Sequence, residues 1–404
     1  MESVNKILRK SALPLCWIVV AVYGAACLYL FYMQSLRPVG TDVILFDSDL
    51  PDHLHMILED GWLYSFTAYI YLFLNFLTPG NTILIAVVLA VVTVAAVLLT
   101  EKLLRIFLDK QKITALTLAG AMILNMVMPF FWARIGAYRY VSYQSGNVWH
   151  NSTYLFMKPG ALIAILLFLT IEKNYAKKIL WKHWLGFCLA LIITTGIKPS
   201  FLTVFAPAMA LKLLWDLFHK VPFKQIFIFG CAVLPACGVM LWQNSVLFGE
   251  STEQGFTIDP WFTFSLHAET PKIAVLCSIA FPLTVLVFSV FELLKDKHYA
   301  FAWLMTLIGF LEALLLCETG SRARHGNFLW GYFIAIFYIF VLSFVKWLKL
   351  WKKAQTSTSV KQKWLFRAMF FISGLVLYYQ TYCGIVFFTR LLEGDSYFMM
   401  KYNV

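Results

Sequence analysis

The feature that most restricts this chain is a series of apolar runs, each roughly 14–22 residues long, close to the length a helix needs to cross a bilayer. Hydrophobic residues make up 61% of the 404 residues and charged ones only 13%, against about a half and about a quarter in a soluble domain. A soluble enzyme, a secreted disulfide-framed protein and a disordered chain are excluded. So is an outer-membrane barrel, whose strands would alternate polar and apolar residues. The runs lie at about 12–33, 81–100, 113–132, 156–171, 183–196, 200–215, 225–247, 272–291, 299–317, 328–345 and 367–388. They predict an all-α polytopic membrane protein of about 11 transmembrane helices, with further helices lying on the outer face, folded as a single integral membrane domain over 1–404.

Lys and Arg set the expected orientation, because cytoplasmic loops carry the positive excess. With the N-terminus inside, cytoplasmic segments hold 23 of the 33 basic residues and outer segments hold 10. A further apolar stretch, 62–78, would invert every later loop if it crossed, so it is expected to be re-entrant or to lie on the surface. The chain is then a multi-pass protein of the plasma (inner) membrane, N-terminus cytoplasmic and C-terminus outside. The net charge of +12 belongs to this asymmetry and does not indicate nucleic-acid binding. The first run is too long for a signal-peptide core and lacks a small-x-small cleavage site. The eight cysteines sit in or beside apolar runs without a CxxC pair, as small apolar fillers would. No internal repeat is evident, which argues against an inverted-repeat transporter. The stretch Thr356-Ser357-Thr358-Ser359 within the basic segment 346–367 suggests a flexible linker.

The chemistry concentrates in the outer loops. The first, within about 34–80, holds six acids and two histidines between Asp42 and Asp60. From Asp49 onward the pattern is helical: Leu50, Leu54, Ile57, Leu58 and Trp62 fall on one arc. Asp49, Asp52, His53, His55, Glu59 and Asp60 fall on the other, which predicts an amphipathic surface helix started by Pro51. Asp49 and Asp52 fit two roles. They suit a helix cap with a capping-box-like partner, or a site, in which Asp49, Asp52 and His53 are candidate ligands for Mg²⁺ or Mn²⁺. Asp47, just upstream, is not explained by capping.

The second outer loop carries Arg134, Arg139, Tyr140 and Tyr143, then Gly146 to Thr153 with Trp149 and His150. That mixture suits a sugar or phosphate site and equally an interfacial aromatic belt. Asn151-Ser152-Thr153 matches a glycosylation sequon. Gly196-Ile197-Lys198-Pro199-Ser200 breaks two short apolar runs, leaving Lys198 either in a cavity or snorkelling to the interface. The loop 249–271 has no specific motif. The loop 318–327 places Arg322, Arg324 and His325 between Gly320 and Gly326, on the side where cations are scarce. Arginine forks suit phosphate. Glu312, an acid inside a span, is expected to hold Arg322 or Arg324.

This layout resembles the GT-C glycosyltransferases. The likeness lies in a first helix from the cytoplasm, an acidic outer loop with Asp47-Ser48-Asp49 following at once, surface helices, many spans and outer-face cations, over about 12–390. The resemblance implies a membrane enzyme that moves a sugar from a polyprenyl-phosphate carrier to an outer-face glycan or lipid-linked acceptor. It implies Asp49 or Asp47 as the base or acceptor-positioning carboxylate. Arg322, Arg324 and Lys198 would hold the carrier phosphate, with Asp52, Arg134, Trp149, His150 and His325 lining the substrate site. A divalent cation is admitted but not required. Many members carry a large soluble C-terminal domain, whereas little follows Phe388 here, so a lipid-linked glycan is the expected acceptor rather than a protein. Two other classes remain: a polysaccharide polymerase or ligase of the O-antigen type, which leans on loop Arg and His, and a transporter or flippase, which should hold its ionisable groups near the bilayer midplane.

Overall fold

The computed structural model describes residues 2–39, 45–136, 138–140, 142–248, 255–266, 268–293, 295–398 and 400, with side chains except those of 2–10, 292 and 321. Asp42, the loop start Gly249 to Gln254, and Lys401 lie outside the described residues.

The helices follow from the apolar runs. Helix α1 (Glu2–Ser35) is joined to α4 (Ile83–Phe107) through the short α2 (Leu50–Leu58) and α3 (Phe66–Leu77). Helix α5 (Ala115–Leu124) is followed by irregular chain up to α6 (Ser152–Glu172), then α7 (Trp181–Ile197), α8 (Ser200–Phe218), α9 (Phe223–Cys231) and α10 (Leu234–Phe248). The single turn α11 (Phe262–Ser265) leads to α12 (Pro271–Ser278), α13 (Ala280–Leu293), α14 (Lys297–Leu315), α15 (Leu329–Thr356) and α16 (Val360–Leu392). Strands β1 (Phe256–Ile258) and β2 (Leu316–Glu318) pair antiparallel, with Phe256 opposite Glu318.

Among the described residues, eight helical segments are long and apolar enough to cross a membrane, or nine if α12 and α13, bent by 73°, count as one span. The protein is therefore a multi-pass α-helical membrane protein. The segment 183–196 forms a shorter apolar helix, α7, whose 17 residues still reach from one end of the bundle to the other. The expectation is corrected at one place: the segment 113–132 is helical only over the 10 residues of α5. The stretch 62–78 yields a helix of 12 residues, α3, too short to span a bilayer at 1.5 Å per residue. The stretch Thr356–Ser359 does connect two helices, and the non-helical part is only three residues long. Helix α15 runs on to Thr356, and Ser359 caps α16 by accepting from the Gln362 N–H.

Helix α15 is the centre of the bundle. It is apolar on every face from Leu329 to Val345, and nearly all of that stretch is buried by α4, α5, α8, α13, α14 and α16. A helix that is hydrophobic all round belongs in such a place.

The irregular chain from Asn125 to Asn151 is mostly buried, so its backbone groups need partners inside the protein. They have them. Met128 N–H donates to the Gln380 carbonyl at 3.0 Å, and Phe130 N–H to the Cys277 carbonyl at 3.0 Å. The Asn147 amide donates to the carbonyls of Leu124 and Val127 at 2.9 and 2.8 Å. Lys158 Nζ donates to Asn147 Oδ1 at 2.6 Å. This set of bonds ends α5 early and lets non-helical chain reach the start of α6.

The two ends of the bundle differ in kind. At one end Glu172 meets Lys212 at 3.1 Å, Lys297 at 3.4 Å and His298 at 3.3 Å. There, too, Asp296 meets Lys346 at 2.9 Å. At the other end, where α6 begins and α7 stops, lies a cavity of about 990 Å³. All eight cysteines are free.

Candidate active site

Helix α2 buries Leu50, Leu54 and Ile57, as the apolar arc predicts, and turns Asp52 and His53 toward the cavity. His55, Glu59 and Asp60 of the polar arc are exposed and do not line it, and Trp62, expected on the apolar arc, is exposed beyond the helix. Asp49 sits at the N-cap, yet its side chain caps nothing. Ser48 takes over locally: its hydroxyl accepts from Leu50 N–H at 3.1 Å and donates to the His150 carbonyl at 2.7 Å. Asp49 N–H also donates to that carbonyl, at 3.1 Å. The first loop is thus fixed to the start of α6, and the Asp49 carboxylate is released to face the cavity.

That carboxylate has two partners. Asn151 Nδ2 donates to Oδ2 at 2.5 Å, and Tyr397 Oη donates to Oδ1 at 3.3 Å. Asn151 is also the N-cap of α6, its Oδ1 accepting from Tyr154 N–H at 2.9 Å and from Thr153 Oγ1 at 2.7 Å. The asparagine of the sequon is therefore buried and structural. Tyr397 comes from the chain after α16 and stacks on His150 with ring centroids 3.6 Å apart.

The cavity has a volume of about 990 Å³. Asp49, Asp52, His53 and His150 line one part of it. Lys198, Arg322, Arg324 and His325 line another, with Leu266, Leu329, Phe333 and Phe398 supplying apolar wall. Lys198 follows the end of α7, where Pro199 prevents the helix from continuing. Its Nζ donates to Thr153 Oγ1 at 3.1 Å and lies 4.4 Å from the Trp330 ring centre. It has no carboxylate partner among the described residues. Arg322 Nε donates to Glu318 Oε1 at 2.9 Å, and Glu318 is held by the β1–β2 pairing and by Asn327. Arg324 and His325 are exposed and make no ion pair among the described residues.

Electrostatics separate these groups. Burial raises the Asp49 carboxyl, but His150, His53, the Asn151 amide and Lys198 outweigh it and hold it below the ordinary carboxylate range. Burial pushes His150 down to about 4 against the pull of Asp49, and it lowers His53 as well. Both imidazoles are then neutral near pH 7, so the lasting support for the Asp49 charge comes from Asn151 and Lys198. Burial lowers Lys198 to about 8, with Asp49 opposing, and it stays a cation at pH 7. Burial also raises Asp52, against the pull of Arg37.

Several expected residues lie elsewhere. Asp47 faces away from the cavity: Arg37 Nη1 pairs with its Oδ1 at 2.9 Å, and Ser396 Oγ donates to its Oδ2 at 2.8 Å. Trp149 is core, its Nε1 donating to Tyr23 Oη at 3.0 Å beside Phe388. Arg134 is exposed and does not line the cavity. Glu312 does not hold an arginine; it accepts from Thr203 Oγ1 at 3.0 Å, and Glu318 does the work assigned to it.

Of the candidate metal ligands Asp49, Asp52 and His53, Asp49 accepts one hydrogen bond on each oxygen, from Asn151 and Tyr397, and His53 Nδ1 engages Ser152 Oγ at 3.2 Å. No group of three or more His, Cys, Asp or Glu among the described residues is gathered closely enough to hold a metal ion.

Sequence reasoning missed Asn151 as the carboxylate's partner, Glu318 as the arginine's, and Tyr397 altogether. The polar-aromatic cluster Asp395-Ser396-Tyr397 directly after the last span was the available signal for the last of these.

No family model matches the chain, and no curated protein sequence matches it. Among solved structures it is similar to the oligosaccharyltransferase of Archaeoglobus fulgidus, solved with a tethered acceptor peptide containing the NVT sequon. The two are 14% identical with a TM-score of 0.48, over 96% of this chain and 56% of that one. The chain thus spans little more than half the length of that protein.

Proposed function

We propose that the protein is a membrane glycosyltransferase of GT-C type, moving a sugar from a polyprenyl-phosphate carrier to a glycan or lipid-linked acceptor at the outer membrane face. One observation carries the reading: a single large cavity at one end of the bundle joins an ionised carboxylate, Asp49, to a group of cations, Lys198, Arg322 and Arg324. Transfer from a polyprenyl phosphate develops positive charge at the sugar carbon and negative charge on the leaving phosphate. Cations fixed beforehand at the phosphate stabilise that charge. Glu318 orients Arg322 through Nε, which leaves the rest of the guanidinium fork for phosphate oxygens.

On the other side, Asp49 accepts the proton of the acceptor hydroxyl. Its low basicity suits a reaction in which the sugar carbon is already cationic when the hydroxyl attacks, because the hydroxyl then becomes strongly acidic late in the step. Asp47 is the weaker choice, since its ion pair with Arg37 keeps it out of the cavity. Asp52, His53 and His150 offer hydrogen-bonding groups for sugar hydroxyls, and the apolar wall suits the first isoprene units.

The test is sugar transfer in reconstituted membranes with a polyprenyl-phosphate sugar. Asp49→Asn should retain donor binding and lose turnover by on the order of 10²-fold or more. Normal turnover in that variant would remove Asp49 as the base. Absence of transfer by the parent protein would remove the reading and favour the polymerase or ligase alternative, for which Arg322, Arg324 and His325 supply the loop arginines and histidine.

A further inference from the structure

A second cavity, of about 430 Å³, lies at the opposite end of the bundle between the α6–α7 connection and α9. Helix α6 has 21 residues, so this cavity sits about 30 Å from Asn151 at 1.5 Å per residue. Lys177 and Lys178 line it, together with Trp181, Trp184, Gln225 and Phe227. We propose that this cavity binds the phosphate headgroup of an anionic phospholipid from the surrounding bilayer.

Charge is the first argument. Some lysines at this end of the bundle are paired with acids, and among the exposed ones without an ion pair Lys177 and Lys178 line the cavity. Lys212 and Lys297 are neutralised by Glu172, and Lys346 by Asp296. Lys177 and Lys178 are exposed and have no acid partner among the described residues. Two adjacent unpaired cations at a cavity mouth attract a phosphate, and basic pockets between membrane helices are a recurrent form of headgroup recognition.

The walls argue for a lipid rather than a free anion. Trp181 and Trp184 stack with ring centroids 5.2 Å apart. Trp184 Nε1 donates to the Ile228 carbonyl at 2.7 Å, which fixes the indole and ties α7 to α9. Trp181 is 65% exposed and Phe227 60%, an open aromatic rim of the kind found where acyl chains meet headgroups. A soluble phosphate would leave these rings in water, whereas an acyl chain covers them.

Native mass spectrometry of the detergent-purified full chain tests this, with phosphatidylglycerol as probe and phosphatidylcholine as neutral comparison. Phosphatidylglycerol should bind in preference. Lys177→Gln/Lys178→Gln should weaken it by on the order of tenfold to thirtyfold, two lysine contacts being lost. The pair Lys349→Gln/Lys352→Gln removes the same charge at the same end of the bundle, from exposed positions on α15, and should leave binding unchanged. Equal loss in both double variants would show non-specific attraction and overturn the site, as would no loss in either. A two-chain species that disappears only in the 177/178 variant would assign the cavity to a second copy of the protein instead.

Discussion

Asn151 Nδ2 donates to Asp49 Oδ2 at 2.5 Å across 102 residues of sequence. The same side chain caps α6 through its Oδ1, so one asparagine both starts a buried helix and holds the carboxylate that faces the cavity. The charge on Asp49 is thereby tied to the position of the bundle's second most buried span.

Replacing this amide should change the acid side of the pH profile. Hydrogen bonds to a carboxylate favour its charged form, and Asn151 is among the groups that lower Asp49. Asn151→Ser keeps a capping oxygen but loses the amide donor, so the Asp49 carboxyl should rise toward its ordinary range. The acid limb of kcat/KM for sugar transfer should move to higher pH, and the melting temperature should fall by several degrees because a buried hydrogen bond to a charged group is lost. An unmoved limb would mean that Asp49 is not the group titrating.

Lys198 should set an alkaline limit. Burial lowers it to about 8, so it is a cation below that pH and neutral above. A polyprenyl phosphodiester keeps a constant charge over this range, so donor affinity should fall as pH rises through about 8. Lys198→Arg stays charged at any accessible pH and should remove the fall. Donor binding measured from pH 6 to 10 in both proteins checks this; parallel curves would exclude Lys198 from phosphate binding.

Asp47→Asn should behave as a structural change. It breaks the Arg37 ion pair and weakens the Ser396 contact that anchors the chain after α16. A partly buried pair of this kind is worth about 1 kcal/mol. Turnover should stay within a few-fold while the melting temperature falls by a few degrees. A loss of turnover as deep as that of Asp49→Asn, in a variant of normal stability, would reverse the assignment of the two aspartates.

Gly384→Ala should be among the most damaging single substitutions. A Cβ at Gly384 would overlap the Met126 carbonyl oxygen, where α16 meets the irregular chain after α5. The contact is with backbone, so no side-chain rotation relieves it, and the cost should reach about 3 kcal/mol or more. Thermal unfolding in detergent should show a large drop or no folded protein; a stable variant would mean that α16 and this chain are less closely packed than described.

The sequence by itself determined most of the spans and the buried face of α2. These follow from hydrophobicity and period, which act locally: a run of apolar residues favours helix in a bilayer, and Leu50, Leu54 and Ile57 share a face of any helix whatever they pack against. Lys198 at its helix break, and Arg322 and Arg324 among glycines, were legible for the same reason, since their residue types are costly or unusual where they stand. Tertiary structure alone decided which of these residues meet. Asp47 and Asp49 are two positions apart and chemically identical, yet one faces Arg37 and the other the cavity, because Ser48 takes the cap and Asn151, from α6, takes the carboxylate. The early end of α5 was hidden for a related reason. Its continuation is apolar enough to span, and only the partners of Asn147, Lys158 and Gln380, brought from other helices, make a non-helical path affordable there. Hydrogen bonds and ion pairs between distant segments have no period and no composition, so no reading of one sequence contains them.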